Sequence, residues 1–231
     1  MTKAWPSRFP DPRSAGDDGL LVYGGDLSVE TLLDSYSHGI FPWPQEGYPL
    51  LWFSPLRRGV IDFAEVHWPK RLLREIRTQP KKITFNQDFA QVIRACSQVI
   101  RTGDGSGGGG GGGGPSTWIL PEMEASYLDL HHAGHAHSVE CWNSAGELVG
   151  GLYGVYIAGV FSGESMFHKE SNAGKFCLYA LVERLLQCGL EWMDIQMVTG
   201  VLEAFGGKYI DRGEFQDRLL KARERPAILN F

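Results

Sequence analysis

Two stretches of this 231-residue chain set polar side chains inside apolar ones: Val160-Phe161-Ser162-Gly163-Glu164-Ser165-Met166-Phe167, and, about thirty residues later, Glu191-Trp192-Met193-Asp194-Ile195-Gln196-Met197. Read as a strand, the second puts Trp192, Asp194 and Gln196 on one face and Met193, Ile195 and Met197 on the other. Asp194 and Gln196 then stand roughly 6 to 7 Å apart along the strand, close enough for both to touch one small reacting group. Polar groups on an apolar strand are costly to bury without partners, so the pattern fits either a site or an edge strand with a wet face. A second set is basic. Lys70, Arg74 and Arg77 fall at i, i+4 and i+7 of a helical stretch with Leu72, Leu73 and Ile76 opposite, and Arg71, Lys81 and Lys82 are close by. That face is either solvated or a contact surface for nucleic-acid phosphates. Lys175 follows Ser171-Asn172-Ala173-Gly174 at a helix start, an arrangement suited to an anion. His131, His132, His135 and His137 lack acidic or thiol partners at metal-ligand spacing, and no metal site is expected.

The elements that must position these residues can be read around them. Ser28 caps a helix over 29–38, and further helices are expected over 68–79, 85–99, 123–132, 176–188 and 214–225. Strands are expected over 137–142 and 147–156, joined by the turn Asn143-Ser144-Ala145-Gly146, then over 157–161 running into Gly163-Glu164-Ser165-Met166-Phe167, and over 191–197. Strand, strand, strand, helix, strand describes a sheet with a helix packed on it. Before it, Ile40-Phe41-Pro42-Trp43-Pro44 and Leu51-Trp52-Phe53-Ser54-Pro55 crowd rings and prolines into a stretch that regular helix excludes. Such rings are core or a stacking platform for a base. The expected division is a small aromatic-rich domain over 1–62 and a catalytic domain over 63–231. Eight consecutive glycines, Gly107 to Gly114, make 103–115 a flexible loop and not a phosphate-binding one.

Composition narrows the class. At 43% hydrophobic and 21% charged residues, with no apolar run long enough for a signal peptide or a membrane span, the chain reads as soluble, globular, cytoplasmic and without a membrane partner. Its four cysteines show no paired spacing, which leaves neither a zinc ribbon nor a disulfide framework. A net charge of −5 argues against a generally basic surface but not against a local patch.

Seven motifs in order resemble the leucyl/phenylalanyl-tRNA-protein transferases: Gly24-Gly25-Asp26-Leu27, His38-Gly39-Ile40-Phe41-Pro42-Trp43, Trp52-Phe53-Ser54-Pro55, Thr117-Trp118-Ile119, Gly134-His135-Ala136-His137-Ser138-Val139-Glu140, Val149-Gly150-Gly151-Leu152-Tyr153-Gly154-Val155 and Phe161-Ser162-Gly163-Glu164-Ser165-Met166-Phe167. The resemblance runs from about Gly19 to Phe215. It implies an α+β fold: a small N-terminal domain and a C-terminal GNAT-like (acetyltransferase-type) domain with a mixed sheet flanked by helices. It also implies transfer of Leu or Phe, with Met a further candidate, from aminoacyl-tRNA to the N-terminal Arg or Lys of a protein, which marks that protein for degradation. No cofactor is implied, and a monomer is expected. By resemblance Asp194 and Gln196 stand at the reaction centre with Glu164 lining it, Asp194 orienting or deprotonating the amine and Gln196 holding the ester carbonyl or a relayed proton. Trp43 and Trp118 match the rings that stack on the terminal adenine, and Leu152, Phe161 and Leu181 the apolar side-chain pocket. Lys70, Arg71, Arg74, Arg77 and Lys175 become candidate contacts to tRNA phosphates. A CoA-dependent acetyltransferase and a non-catalytic tRNA-binding module are the competing readings.

Overall fold

The computed structural model describes residues 7–45, 47–79, 81–99, 119–224 and 226–231. Trp118 and the loop expected over 103–115 lie outside the described residues. The apolar alternation from residue 136 to 168 becomes three antiparallel strands, β6 (Ala136–Trp142), β7 (Leu148–Ile157) and β8 (Val160–His168), numbered in chain order. The Asn143 carboxamide oxygen accepts from the Ala145 and Glu147 amides, at 3.0 Å each, and closes the first hairpin. The second corrects the strand expected over 157–161. Ala158 and Gly159 take left-handed φ values of 55° and 82°, so the chain turns there and β8 starts at Val160. A helix, α5 (Ala173–Gln187), then crosses to β9 (Trp192–Gln196), which runs parallel to β8.

Strands outside those expected from the sequence complete this sheet. β4 (Arg57–Asp62) lies between β9 and β10 (Gly207–Asp211), and β5 (Lys82–Phe85) pairs with β6, giving the order β10-β4-β9-β8-β7-β6-β5. The fold is α+β with a mixed sheet, since β8 and β9 are parallel and the other pairs antiparallel. The helix expected from residue 85 instead begins four residues later. Phe85 ends β5, Asn86 turns at φ 56°, and Asp88 caps α3 (Phe89–Ser97) by accepting from the Gln91 amide at 3.0 Å. A boundary at residue 62 would cut β4 from the sheet it pairs with, so the larger sheet begins at Arg57.

Helices cover both faces of the sheet. On one lie α1 (Val29–Ser37), α3, α4 (Pro121–His132) and a small sheet of β1 (Leu20–Tyr23), β3 (Leu51–Phe53) and β2 (Phe41–Pro42). Leu32, Ile40 and Trp52 share one apolar cluster there with Val92, Met123 and Tyr153, so the N-terminal elements close the face of the larger sheet without a separate core. α7 (Arg212–Glu224) packs Phe215 and Leu219 on Val60 and Val160. Under the other face α5 joins α2 (Lys70–Thr78), with Leu72, Leu152, Phe161, Leu181 and Met193 in one cluster, followed by the short α6 (Gly200–Glu203).

Two bulges stand where β8 and β9 part. These strands share one registered pair, Ser162 with Asp194. On β8, Tyr153 pairs with Ser165 and Gly154 with Gly163, which leaves Glu164 as the extra residue. On β9, Gly59 of β4 pairs with Gln196 and Val60 with Asp194, leaving Ile195 extra, and Gln196 takes a left-handed φ of 53°. Gly59 is small of necessity: a side-chain carbon there would lie 2.9 to 3.1 Å from the backbone of Met197 and Gln196. Gly59→Ala is therefore expected to destabilise the protein by about 1–3 kcal/mol through overpacking. Urea unfolding measures this, and an unchanged midpoint would show that the β9 bulge does not depend on this close approach.

Candidate active site

Asp194 accepts four hydrogen bonds from three residues. The Arg58 guanidinium donates to both its oxygens, Nε to Oδ1 at 2.8 Å and Nη2 to Oδ2 at 2.7 Å. Ser162 Oγ donates to Oδ2 at 3.0 Å, and the Gln196 amide to Oδ1 at 2.9 Å. A carboxylate offers about four acceptor positions, so Asp194 has none left for an incoming group. It is also fully buried, at 0% exposure. Of the two roles expected of Asp194, orienting the amine or deprotonating it, the filled acceptor positions favour orienting. As folded, Asp194 orients its neighbours.

Arg58 is fixed in turn. Its guanidinium carbon sits 4.6 Å from the ring centres of both Phe41 and Phe215, and Nη1 donates to the Gly39 carbonyl at 3.1 Å. Two cation–π contacts and a bidentate pair compensate a buried charge that would otherwise be costly to desolvate. Gln196, its backbone pinned by Asp194, extends its side chain across the parting strands and donates from Nε2 to Glu164 Oε1 at 2.6 Å.

Glu164 is the group in a state to move protons. Burial pushes its carboxyl up from 4.5 to about 7, with the nearby Asp194 charge adding to the rise, while hydrogen bonds from Tyr36 and Gln196 and the charge of Arg58 pull the other way. Tyr36, from α1, bonds Tyr127, from α4, hydroxyl to hydroxyl. Burial first, and then the Glu164 charge, hold both phenols well above their ordinary range, so they stay protonated at neutral pH. Glu164 and Gln196 are both buried, at 8% exposure each, against 0% for Asp194.

The other expected residues divide between the two faces. Leu152, Phe161 and Leu181 are brought together, but in the cluster beneath α5 and not beside Glu164. Met193 of that cluster reaches β8: at Gly163 an added carbon would lie 3.2 Å from Met193 Cε. Trp43 is half-buried, with its ring 6.4 Å from Phe41 and 5.7 Å from Phe53, and Trp118 lies outside the described residues. Pro44, Gln45, Leu50 and Leu120 line a cleft of about 390 Å³ next along the chain from these two tryptophans. Lys70, Arg71, Arg74 and Arg77 are exposed on α2, Arg71 pairing with Glu75 at 3.0 Å. The Asn172 amide donates to Glu75 at 2.6 Å and brings the start of α5, with Lys175, against this helix. Among the described residues no group of three His, Cys, Asp or Glu is placed to hold a metal. His131 serves α4 and β6 instead, with Nδ1 at 2.7 Å from the Ala136 carbonyl oxygen and its ring on Phe89.

Arg58, Ser162, Tyr36 and Tyr127 were not singled out by the sequence. Arg58 left one signal, a charged residue two positions from Val60 in a strand with Val60 and Ile61 at its centre, which demands a partner if buried. The tyrosines left none, because at helical spacing they read as core.

Two comparisons bear on this geometry. The family model described as leucyl/phenylalanyl-tRNA protein transferase matches residues 60–220, and that for the N-terminal domain of the same transferase matches residues 25–56. A protein of Nitratidesulfovibrio vulgaris named leucyl/phenylalanyl-tRNA--protein transferase is 42% identical over 219 residues, 95% of this chain and 89% of its own length. Proteins of the same name from Colwellia psychrerythraea and Azotobacter vinelandii are 46% and 44% identical, covering 86% and 93% of this chain and 79% and 89% of their own.

The raised Glu164 carboxyl makes stability depend on pH. Between its unfolded value of 4.5 and its folded value of about 7 the folded chain binds a proton that the unfolded chain has released. Stability must then fall as pH rises through that window, by up to about 3 kcal/mol for a shift of this size. Urea midpoints measured from pH 4.5 to 8 should show the decline, and Glu164→Gln should flatten it. An equal decline in Glu164→Gln would assign it to another group.

Proposed function

This chain belongs to the leucyl/phenylalanyl-tRNA protein transferase family, and on that premise we propose how its residues carry the reaction and which substrates they take. It is an aminoacyltransferase, moving Leu or Phe from aminoacyl-tRNA to the N-terminus of a protein. The acceptor N-terminus is Arg or Lys, the transferred residue marks the protein for degradation, and the enzyme acts in the cytoplasm as a monomer. The larger sheet is of the acetyltransferase (GNAT-like) type, a reading supported by the parallel β8 and β9 that part after one registered pair.

An aminoacyl ester is already activated, so the enzyme has to hold the amine against the carbonyl, take up its proton and stabilise the oxyanion. The observation that carries the assignment is the Glu164 carboxyl, raised to about 7 and bonded by Gln196 between the bulges of β8 and β9. A free protein N-terminus titrates at about 7.7–8.0, so a proton passes from it to Glu164 at little cost. Glu164 passes that first proton to solvent; the neutral amine nitrogen then attacks the ester carbon and the C–N bond forms, Glu164 takes the second amine proton, the bond to the ribose oxygen breaks, and Glu164 returns that proton to the ribose oxygen. Gln196 orients Glu164 through one amide hydrogen and offers the ester carbonyl the other. No nucleophilic Ser or Cys is called for.

Trp43 and Trp118 stack on the terminal adenine. Leu152, Phe161 and Leu181, an apolar cluster, take the Leu or Phe side chain; such a site rejects charge strongly but separates Leu from Phe or Met by only about 1–3 kcal/mol. Lys70, Arg71, Arg74 and Arg77 of α2, with Lys175, contact acceptor-stem phosphates, and reading of bases is not needed there.

Transfer of labelled Leu or Phe to peptides beginning with Arg, Lys or Ala tests the reading. Basic N-termini should be modified and Ala not, with kcat/KM rising as pH passes about 7. Glu164→Gln should lower kcat by about 10²- to 10⁴-fold, the usual range for a general base, and abolish the pH limb. Undiminished turnover in Glu164→Gln would remove Glu164 from the chemistry.

A further inference from the structure

Arg58 is a buried charge for which substrate binding gives no reason. At 2% exposure, closed in by Phe41, Phe215, the Gly39 carbonyl and Asp194, it can reach no substrate as folded. A buried ion pair is poor evidence of stability, because apolar residues of the same volume commonly do as well. Its geometry points elsewhere. The fork holds both oxygens of Asp194, and Asp194 Oδ1 accepts from the Gln196 amide at the one residue of β9 with a left-handed backbone. A left-handed non-Gly residue costs on the order of 1 to 3 kcal/mol and persists only where its surroundings over-determine it. Here the over-determination is Asp194 on one side and the Gln196 bond to Glu164 on the other.

We infer that Arg58 is a positioning residue of the transfer reaction: it pins Asp194, Asp194 fixes Gln196 against Glu164, and the two opposed charges of the pair balance one another at Glu164. The inference rests on the proposed role of Glu164. The groups facing Glu164 are Tyr36 from α1, Tyr127 from α4, Asp194 and Gln196 from β9 and Arg58 from β4. Among these, Asp194 pushes the Glu164 carboxyl up and Arg58 pulls it down, so removing either charge alone must unbalance the site in opposite senses. A residue that served only to fill space would not do so.

The test follows the Glu164 titration in four variants, Arg58→Met, Asp194→Asn, the double variant and Arg58→Lys. It is read twice, as the rising limb of kcat/KM and as the pH dependence of the urea midpoint, each stability curve taken against the same variant carrying Glu164→Gln. Asp194→Asn keeps the shape and an oxygen for the Gln196 amide, and should move both readings to lower pH. Arg58→Met leaves two carboxyls without a cation, so the last proton should leave them at higher pH. The double variant should return toward the unaltered protein. Arg58→Lys retains the charge but not the fork, and should keep the limb in place while kcat falls and KM holds. Singles that shift in the same direction, or an Asp194→Asn limb that stays where it was, would overturn the inference. Asp194→Asn carries the test alone should Arg58→Met fail to fold. Opposite shifts in the stability reading, with no transfer by the unaltered protein, would support the balance at Glu164 and overturn the functional reading.

Discussion

The site depends on one buried ion pair. Arg58 and Asp194 come from strands 136 residues apart in sequence, meet through two bonds under 3 Å, and are closed from water by Phe41 of β2 and Phe215 of α7. The pair ties together the segments that enclose the site: the turn after α1 through Gly39, the sheet through β4 and β9, and the C-terminal helix through Phe215. Removing one partner would leave a buried charge exposed to a low dielectric, at a cost of about 3–5 kcal/mol. The paired bulges of β8 and β9 are built around it, since Ser162 and Gln196, the residues on either side, both bond Asp194.

What the pair does for chemistry is indirect. It keeps one carboxylate saturated so that another, Glu164, is the carboxyl with protons to exchange near neutrality. Two acidic groups close together with distinct environments are a common way of dividing labour in an active site. Burial, which would suppress an isolated carboxylate, raises Glu164 to within about one unit of a free protein N-terminus, so in the proposed reaction the cost of burial becomes proton affinity in the useful range.

Much of the sheet was legible in the chain. The alternation of β6 and β7, the Asn143 turn and the Gln196 strand follow from periodicity and turn chemistry that are local. Asp194 and Gln196 stood out because polar residues in an apolar strand need an explanation. The pairing of β4 did not show, because its neighbours β9 and β10 lie far along the chain and no local pattern names them. The same distance hid Arg58 and with it the true state of Asp194. Asn86 and Ala158, two left-handed residues that are not glycine, displaced the start of α3 and of β8 from where pattern put them. The roles proposed for Trp43, Leu152 and α2 come from the family resemblance, since their residue types alone fit core or solvated surface as well.

The most direct measurement is the titration of the Glu164 carboxyl itself, followed by the ¹³C shift of side-chain-labelled glutamate in the unaltered protein, with Glu164→Gln assigning the signal. A midpoint near pH 7 is the result the account requires, because both the division of labour between the carboxyls and the near-level proton transfer from the amine depend on it. A midpoint below pH 5 would contradict it: Glu164 would then be an ordinary carboxylate at neutral pH, and the proton would have to leave the amine by another route.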